Sequence, residues 1–149
     1  MDKEVRVRIR YLKHHEGLPP IVRQTPGSSG FDLHAACADE IRVAPGEAAL
    51  VPAGFQLSIP EGYEAQVRPR SGLAIKNRIG LLNAPGTVDS DYRGEICAIL
   101  YNFGEADFVV RRGDRVAQLV ISRLPRVELV EDDALDETER GSGGFGHTG

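Results

Sequence analysis

The sequence predicts an all-β domain, a sandwich, jelly roll or barrel, on three observations. Apolar and polar residues alternate with the period of a strand, further runs are rich in β-branched residues, and turn residues separate the runs at roughly ten-residue spacing. In chain order, Val5, Val7 and Ile9 interleave with Arg6, Arg8 and Arg10. Phe55, Leu57 and Ile59 interleave with Gln56 and Ser58, and Tyr63, Ala65 and Val67 with Glu64, Gln66 and Arg68. Each set places its apolar members on one side of an extended chain. The runs "ICAILYNF", "FVV", "RVAQLVI" and "VELV" read as further strands. Between the runs, "APGE", "PEG", "NFGEAD" and "RRGD" supply turn chemistry. Only "SGLAIKN" reads as a short helix, with Ser71 in the capping position.

The 149 residues suit one domain with a real core. The expected division is a β domain over residues 1–130, followed over 131–149 by an acidic linker, "EDDALDETER", and a glycine-rich arm. No window approaches the ~18 apolar residues of a membrane span, and "MDKEVRVRIR" does not read as a secretory leader. A soluble, cytoplasmic protein is therefore expected. The net charge of −4 argues against nonspecific affinity for nucleic acid but leaves room for a local cationic pocket. Cys37 and Cys97 lie in apolar surroundings without a C-x-x-C spacing, so both read as buried free thiols. His14 and His15 precede a Gly-Leu-Pro-Pro turn and read as a surface loop.

Several stretches carry residues suited to chemistry. In "NAPGTVDSDYRGE", Pro85-Gly86 and Arg93-Gly94 bracket a segment suited to a hairpin whose backbone amides are offered to a ligand. Asp89 and Asp91 share one parity, so an extended chain would point both to one face, as a general base and its partner, a cation site or simply a polar turn. In "RPRSGLAIKN", Arg68 and Arg70 stand just before the free amides of a helix start, which suits an anion, phosphate above all. Asp32 in "GFDLHAA" and Gln118 in "RRGDRVAQLVI" are polar residues among apolar neighbours. The tail "ERGSGGFGHTG" contains G-x-G-x-x-G over residues 141–146, but a dinucleotide fingerprint needs a strand before it and a helix after it. No P-loop, H-E-x-x-H, G-x-S-x-G or paired Cys/His spacing occurs, so covalent and structural-zinc chemistries have no support.

In order, "SSGFDLHAA", "PRSGLAIKN", "NAPGTVDSDYRGE", "RRGDRVAQLVI" and "RGSGGFGHTG" resemble the five motifs of the trimeric deoxyuridine triphosphatase (dUTPase) family, and the similarity covers nearly the whole chain. The resemblance implies a jelly-roll-like distorted β-barrel with one short helix. It implies a homotrimer with three active sites shared between subunits, and Mg²⁺-dependent hydrolysis of dUTP to dUMP and pyrophosphate. By motif, Asp89 corresponds to the acid that activates the attacking water and meets the sugar 3′-hydroxyl, and Tyr92 to the ring under the deoxyribose. Asn83, Gly86 and the Thr87-Val88 backbone correspond to the uracil site, with Cys97 beside it on the returning strand. Arg70, Ser71 and Gly72 match the phosphate-binding motif. Gln118 matches a phosphate and water contact, and Asp32 an acid near the metal's water shell, with Mg²⁺ held mainly by substrate phosphates and waters. Arg140, Phe145, Gly146 and Thr148 match a C-terminal arm that closes over the site; His147 stands where serine is frequent in the family, and Thr87 where an aliphatic residue is frequent. The nearest rivals are a deoxycytidine triphosphate deaminase of the same fold and a noncatalytic nucleotide-binding trimer.

Overall fold

The computed structural model describes residues 4–147. Ten strands run β1 (Arg8–Tyr11), β2 (Phe31–His34), β3 (Ile41–Val43), β4 (Ala48–Ser58), β5 (Tyr63–Arg68), β6 (Ile79–Leu81), β7 (Gly86–Val88), β8 (Glu95–Asn102), β9 (Phe108–Val110) and β10 (Arg115–Arg123). A 3-10 turn, Lys13–His15, follows β1, and the helix α1 (Ser71–Asn77) follows β5. Two four-stranded sheets, ordered β1-β4-β8-β6 and β2-β10-β5-β7, and a small β3-β9 pair are antiparallel throughout. These sheets are not closed into a barrel.

The inner faces of the large sheets share one apolar core that includes Leu33, Val51, Phe55, Ile96, Leu100 and Leu119. β8 shows how the sequence specifies this arrangement: Ile96, Ala98 and Leu100 are buried, while Cys97, Ile99 and Tyr101 alternate with them on the other face. Asn102 is fully buried at the end of the same strand. Its amide donates to the Val43 and Ala106 carbonyls at 2.9 and 2.8 Å, and its oxygen accepts from the Gly104 N–H at 2.8 Å. Burying the amide is tolerable because its groups are satisfied, and those bonds fix the "NFGEAD" turn.

Several local expectations are corrected. β1 begins at Arg8, because its last partner on β4 is Ser58 and the chain then turns at Pro60. "VELV" forms no strand: β10 ends at Arg123 opposite Tyr63, the first residue of β5, so the following residues meet no ladder among the described residues. Ser71 is the first residue of α1 and makes no cap; Arg70 occupies the capping position and offers no side-chain cap bond. "RRGD" does form the turn expected of it, between strands of different sheets, with the Asp114 N–H donating to the Arg111 carbonyl at 3.0 Å.

His15 is buried and so departs from the surface-loop expectation. It sits where Gly54, at φ +79°, leaves room for it: a Cβ on Gly54 would stand 2.9 Å from the His15 Cβ. His15 Nε2 and His34 Nδ1 are buried without hydrogen-bond partners. Burial pushes both imidazoles below their ordinary value of 6.5. His34, Arg112 and His14 push His15 further down; at His34, Asp32 opposes the shift while Arg115 and Arg70 reinforce it. The unfolded chain therefore binds protons first as the pH falls. The stability these residues contribute is complete above 6.5 and is lost as the pH drops through the depressed folded values. Thermal melting should thus be flat on the alkaline side and decline on acidification, and His15→Phe, which cannot titrate, should shallow that decline. An unchanged acid slope in the variant would place the loss elsewhere.

Candidate active site

Two clusters form around the strands, and the first is an opened cleft. β6 pairs with β8 over Leu100–Asn102, the Leu82 N–H donates to the Ile99 carbonyl at 3.0 Å, and the chain then leaves that sheet. β7 then joins the other sheet by pairing with β5, where Gly86 stands opposite Val67 and Val88 opposite Ala65. The edge of β7 and the first half of β8 consequently face each other without a shared ladder, and their backbone groups remain available. The expected hairpin is instead splayed between two sheets: β7 spends one edge on β5 and β8 one edge on β4, and only the edges that face each other carry no shared ladder. A cavity of about 260 Å³ lies between them, lined by Asn83, Gly86, Thr87, Val88, Tyr92, Cys97 and their neighbours. Gly86 is packed closely: a Cβ there would stand 3.2 Å from Asn83 Nδ2 and 3.4 Å from the Val67 Cβ.

Asp89 and Asp91 lie in a tight turn, closed by the Tyr92 N–H donating to the Asp89 carbonyl at 3.1 Å. Their shared parity therefore has no meaning here, since alternation holds only in extended chain. Asp89 is exposed and directly follows Val88, which lines the cleft. Arg93 clamps the turn by donating to the Ser90 and Tyr92 carbonyls at 2.6 and 3.0 Å. The Tyr92 hydroxyl donates to the Glu95 carbonyl at 3.0 Å and lies over Gly94, where a Cβ would come within 2.3 Å of that oxygen. The ring is thereby held at one orientation while nearly half its surface stays open.

The second cluster lies across β2, β10 and β5. Register places Gln118 directly between Asp32 and Arg68. Asp32 is 13% exposed, 3.3 Å from Arg70 Nε and 3.5 Å from an Arg115 terminal nitrogen. Arg70 also donates to the Arg115 carbonyl at 3.3 Å, and Gln118 Nε2 to the Pro69 carbonyl at 3.0 Å. Gly30 is required by contact, because a Cβ there would lie 2.4 Å from Gln118 Oε1. Ser71 and Gly72 follow Arg70 in the first turn of α1, whose amides have no acceptor within the helix. The cluster thus presents an arginine held in place by a carboxylate beside free amides, an arrangement suited to phosphoryl oxygens.

The arm stands apart from both clusters. Phe145 is fully exposed with φ +53°, Gly141 and Gly146 also have positive φ, and Arg140 Nε donates to the Gly143 carbonyl at 2.7 Å. Thr148 lies outside the described residues. Three participants escaped the sequence reading. Arg115 reaches Asp32, Glu95 lines the cleft, and His14 bonds the Glu95 carboxylate from 81 residues away. Only strand register and tertiary folding bring these together. Cys97 is half-buried in the cleft wall, unlike the buried Cys37. Among the described residues, no three His, Cys, Asp or Glu side chains converge as a metal cage, and none of the helices is long and apolar enough to cross a membrane.

An all-β scaffold with a cleft edged by strand backbone, and with a separate cluster of Asp32, Arg70, Arg115 and Gln118, suits a phosphate-handling enzyme. The chain belongs to the dUTPase family, whose model matches residues 18–149. A deoxyuridine 5′-triphosphate nucleotidohydrolase of Maricaulis maris (strain MCS10) is 54% identical over 147 residues, covering 97% of each chain. One from Caulobacter vibrioides (strain NA1000 / CB15N) is 53% identical over 145 residues, covering 96% of this chain and 94% of its own. Among solved structures, a mutant dUTPase of Staphylococcus bacteriophage 80alpha with dUpNHpp superposes with a TM-score of 0.85 at 23% identity, covering 97% and 98% of the two chains. A mutant dUTPase from phage phi11 of S. aureus, described with a structural Mg(II) ion, gives a TM-score of 0.77 at 22% identity and covers 87% and 97%. The likeness to these two structures establishes a shared jelly-roll fold.

Proposed function

We propose that the protein hydrolyses dUTP to dUMP and pyrophosphate by Mg²⁺-dependent attack of an Asp89-activated water on the α-phosphate, limiting uracil in DNA and supplying dUMP for thymidylate synthesis in the cytoplasm. The observation that carries this reading is the splayed β7–β8 cleft. Its unpaired strand edges can imitate the base-pairing partner of a uracil, with Asn83 at its end and the Gly86, Thr87 and Val88 backbone along one side. Asp89, directly after Val88, accepts the proton of the attacking water and orients its lone pair. Tyr92, held over Gly94, packs beneath the deoxyribose and leaves no volume for a 2′-hydroxyl.

Arg70, Ser71 and Gly72 bind phosphate oxygens, and Gln118 holds a phosphate or water. Asp32 is already engaged by Arg70 and Arg115, so its carboxylate fits an outer-shell role, reaching the ion through water. When bound, a Mg²⁺ ion would be held mainly by the substrate phosphates and waters and would supply charge neutralisation. Residues 131–149 act as an arm that brings Arg140 to the outer phosphate, stacks Phe145 on the base and adds contacts from Gly146 and Thr148.

Exposed apolar surface supports assembly into a homotrimer with shared sites. Val127, Leu129 and Val130 follow β10 without a ladder, and Leu50 and Phe103 are exposed at the other sheet. An apolar cleft of about 550 Å³, lined partly by Val5, Val7, Ile9, Ile21 and Phe31, opens between the two sheets.

Pyrophosphate release from dUTP, dCTP, dTTP and UTP in parallel tests the reading: dUTP should be strongly preferred. Ammonia release from dCTP would instead favour the deaminase, and inactivity on all four a nucleotide-binding module. Tyr92→Ala should narrow the preference for dUTP over UTP, mainly through poorer handling of dUTP, because a lost packing surface costs about 1–3 kcal/mol. An unchanged dUTP/UTP ratio would move discrimination to another residue.

A further inference from the structure

The cleft contains one carboxylate for which the proposed chemistry has no use. Glu95 opens β8 and lines the cavity. An anion at this position repels a triphosphate through Coulomb interaction, so its presence calls for a function. Its contacts indicate one. A carboxylate offers only acceptors, so the His14 Nε2–H donates to Oε1. On the other side, the Cys97 thiol donates to Oε2 at 3.6 Å. The Glu95 carbonyl meanwhile accepts from Tyr92. One residue thus joins the 3-10 turn at Lys13–His15, the Tyr92 ring and the Cys97 wall.

We propose that Glu95 is a positioning residue of the base cleft: braced from outside by His14, its carboxylate fixes the Cys97 side chain as one wall of the cleft and closes that thiol to alkylation. The inference rests on the reading of this cleft as the uracil site. Two features of the local chemistry agree with it. The thiol proton is directed at Glu95, so sulfur presents its weakly polar surface to the cleft. Burial first, and then the charge and hydrogen bond of Glu95, push the Cys97 thiol up to about 11, against a small opposing bond from the Ala53 backbone. A wall that stays protonated adds no second anion beside the substrate.

The test uses the full chain in wild-type form and as Glu95→Gln, His14→Ala and His14→Gln, with two readouts. The first is the rate and pH profile of Cys97 alkylation by iodoacetamide, located by mass spectrometry, with buried Cys37 as the slow internal control. Thiolate abundance below the pKa changes about tenfold per unit, so Glu95→Gln should speed alkylation by at least roughly threefold and move its profile to lower pH. The second is the split between KM and kcat. KM for dUTP should rise about threefold to tenfold, the worth of one side-chain hydrogen bond, while kcat stays within about twofold.

His14→Ala should move both readouts in the same direction by less, and His14→Gln, which restores an N–H donor, should return them toward wild type. If Glu95→Gln does not fold, the two His14 variants decide the matter. Alkylation no faster than in wild type, a loss confined to kcat, or His14→Ala without effect would each overturn the proposal. Wild-type inactivity on dUTP would sink the functional reading instead, and the alkylation profile would still decide whether the His14–Glu95–Cys97 connection exists.

Discussion

Replacing Asp89 with asparagine is expected to lower dUTP turnover by roughly a hundredfold or more while nucleotide still binds. The variant keeps the shape of the side chain and removes only its capacity to accept a proton. The structure makes this substitution a clean test. The turn that carries Asp89 is closed through its carbonyl by the Tyr92 N–H, and the flanking clamp comes from Arg93, so neither depends on the carboxylate. The side chain is exposed, so its replacement should leave the melting temperature essentially unchanged. The measurements are kcat from pyrophosphate release and the affinity for a nonhydrolysable dUTP analogue. Near-normal kcat would remove Asp89 from the role of base. Lost affinity at unchanged kcat would make it a sugar contact only.

How legible this site was in the sequence follows from how local each feature is. β8 could be read directly, because Ile96, Ala98 and Leu100 alternate with residues of the other face and a one-residue slip would expose them all. Short β3, β6 and β7, at three residues each, leave too little alternation to stand out. "VELV" has strand composition but no pairing neighbour among the described residues, and composition alone forms no ladder.

The motif residues Asp32, Arg70 and Gln118 were named from the sequence, but their meeting depends on β10 lying between β2 and β5. Arg115 joins them through the same register, and the doublet His14-His15 divides its roles only in three dimensions, one ring reaching Glu95 and the other entering the interior. Ser71 failed as a cap because the Arg70 backbone takes that position while its side chain is drawn to Asp32.

Deleting residues 140–149 is expected to abolish most activity and leave stability and assembly almost intact. Five glycines and an acidic approach cannot bury enough apolar surface to offset the entropy of ordering. The structure moves the end of the strand framework back from the neighbourhood of Val130 to Arg123, with the Leu124 N–H bonding the Gly62 carbonyl at 2.8 Å just beyond it, so the deletion removes none of the core. Arg140 and Phe145 nevertheless carry the two groups suited to a phosphate and a base. Closing such an arm over bound triphosphate would exclude bulk water and strengthen the charge interactions within. Phe145→Ala should therefore weaken catalysis less than the deletion, by about 1–3 kcal/mol, the worth of one stacking contact. Limited proteolysis supplies a check that does not depend on turnover: a nonhydrolysable dUTP analogue with Mg²⁺ should slow cleavage of the arm, which is cut quickly without them. Full-rate hydrolysis by the truncated protein, or equal protection with and without nucleotide, would reduce the arm to a frayed terminus.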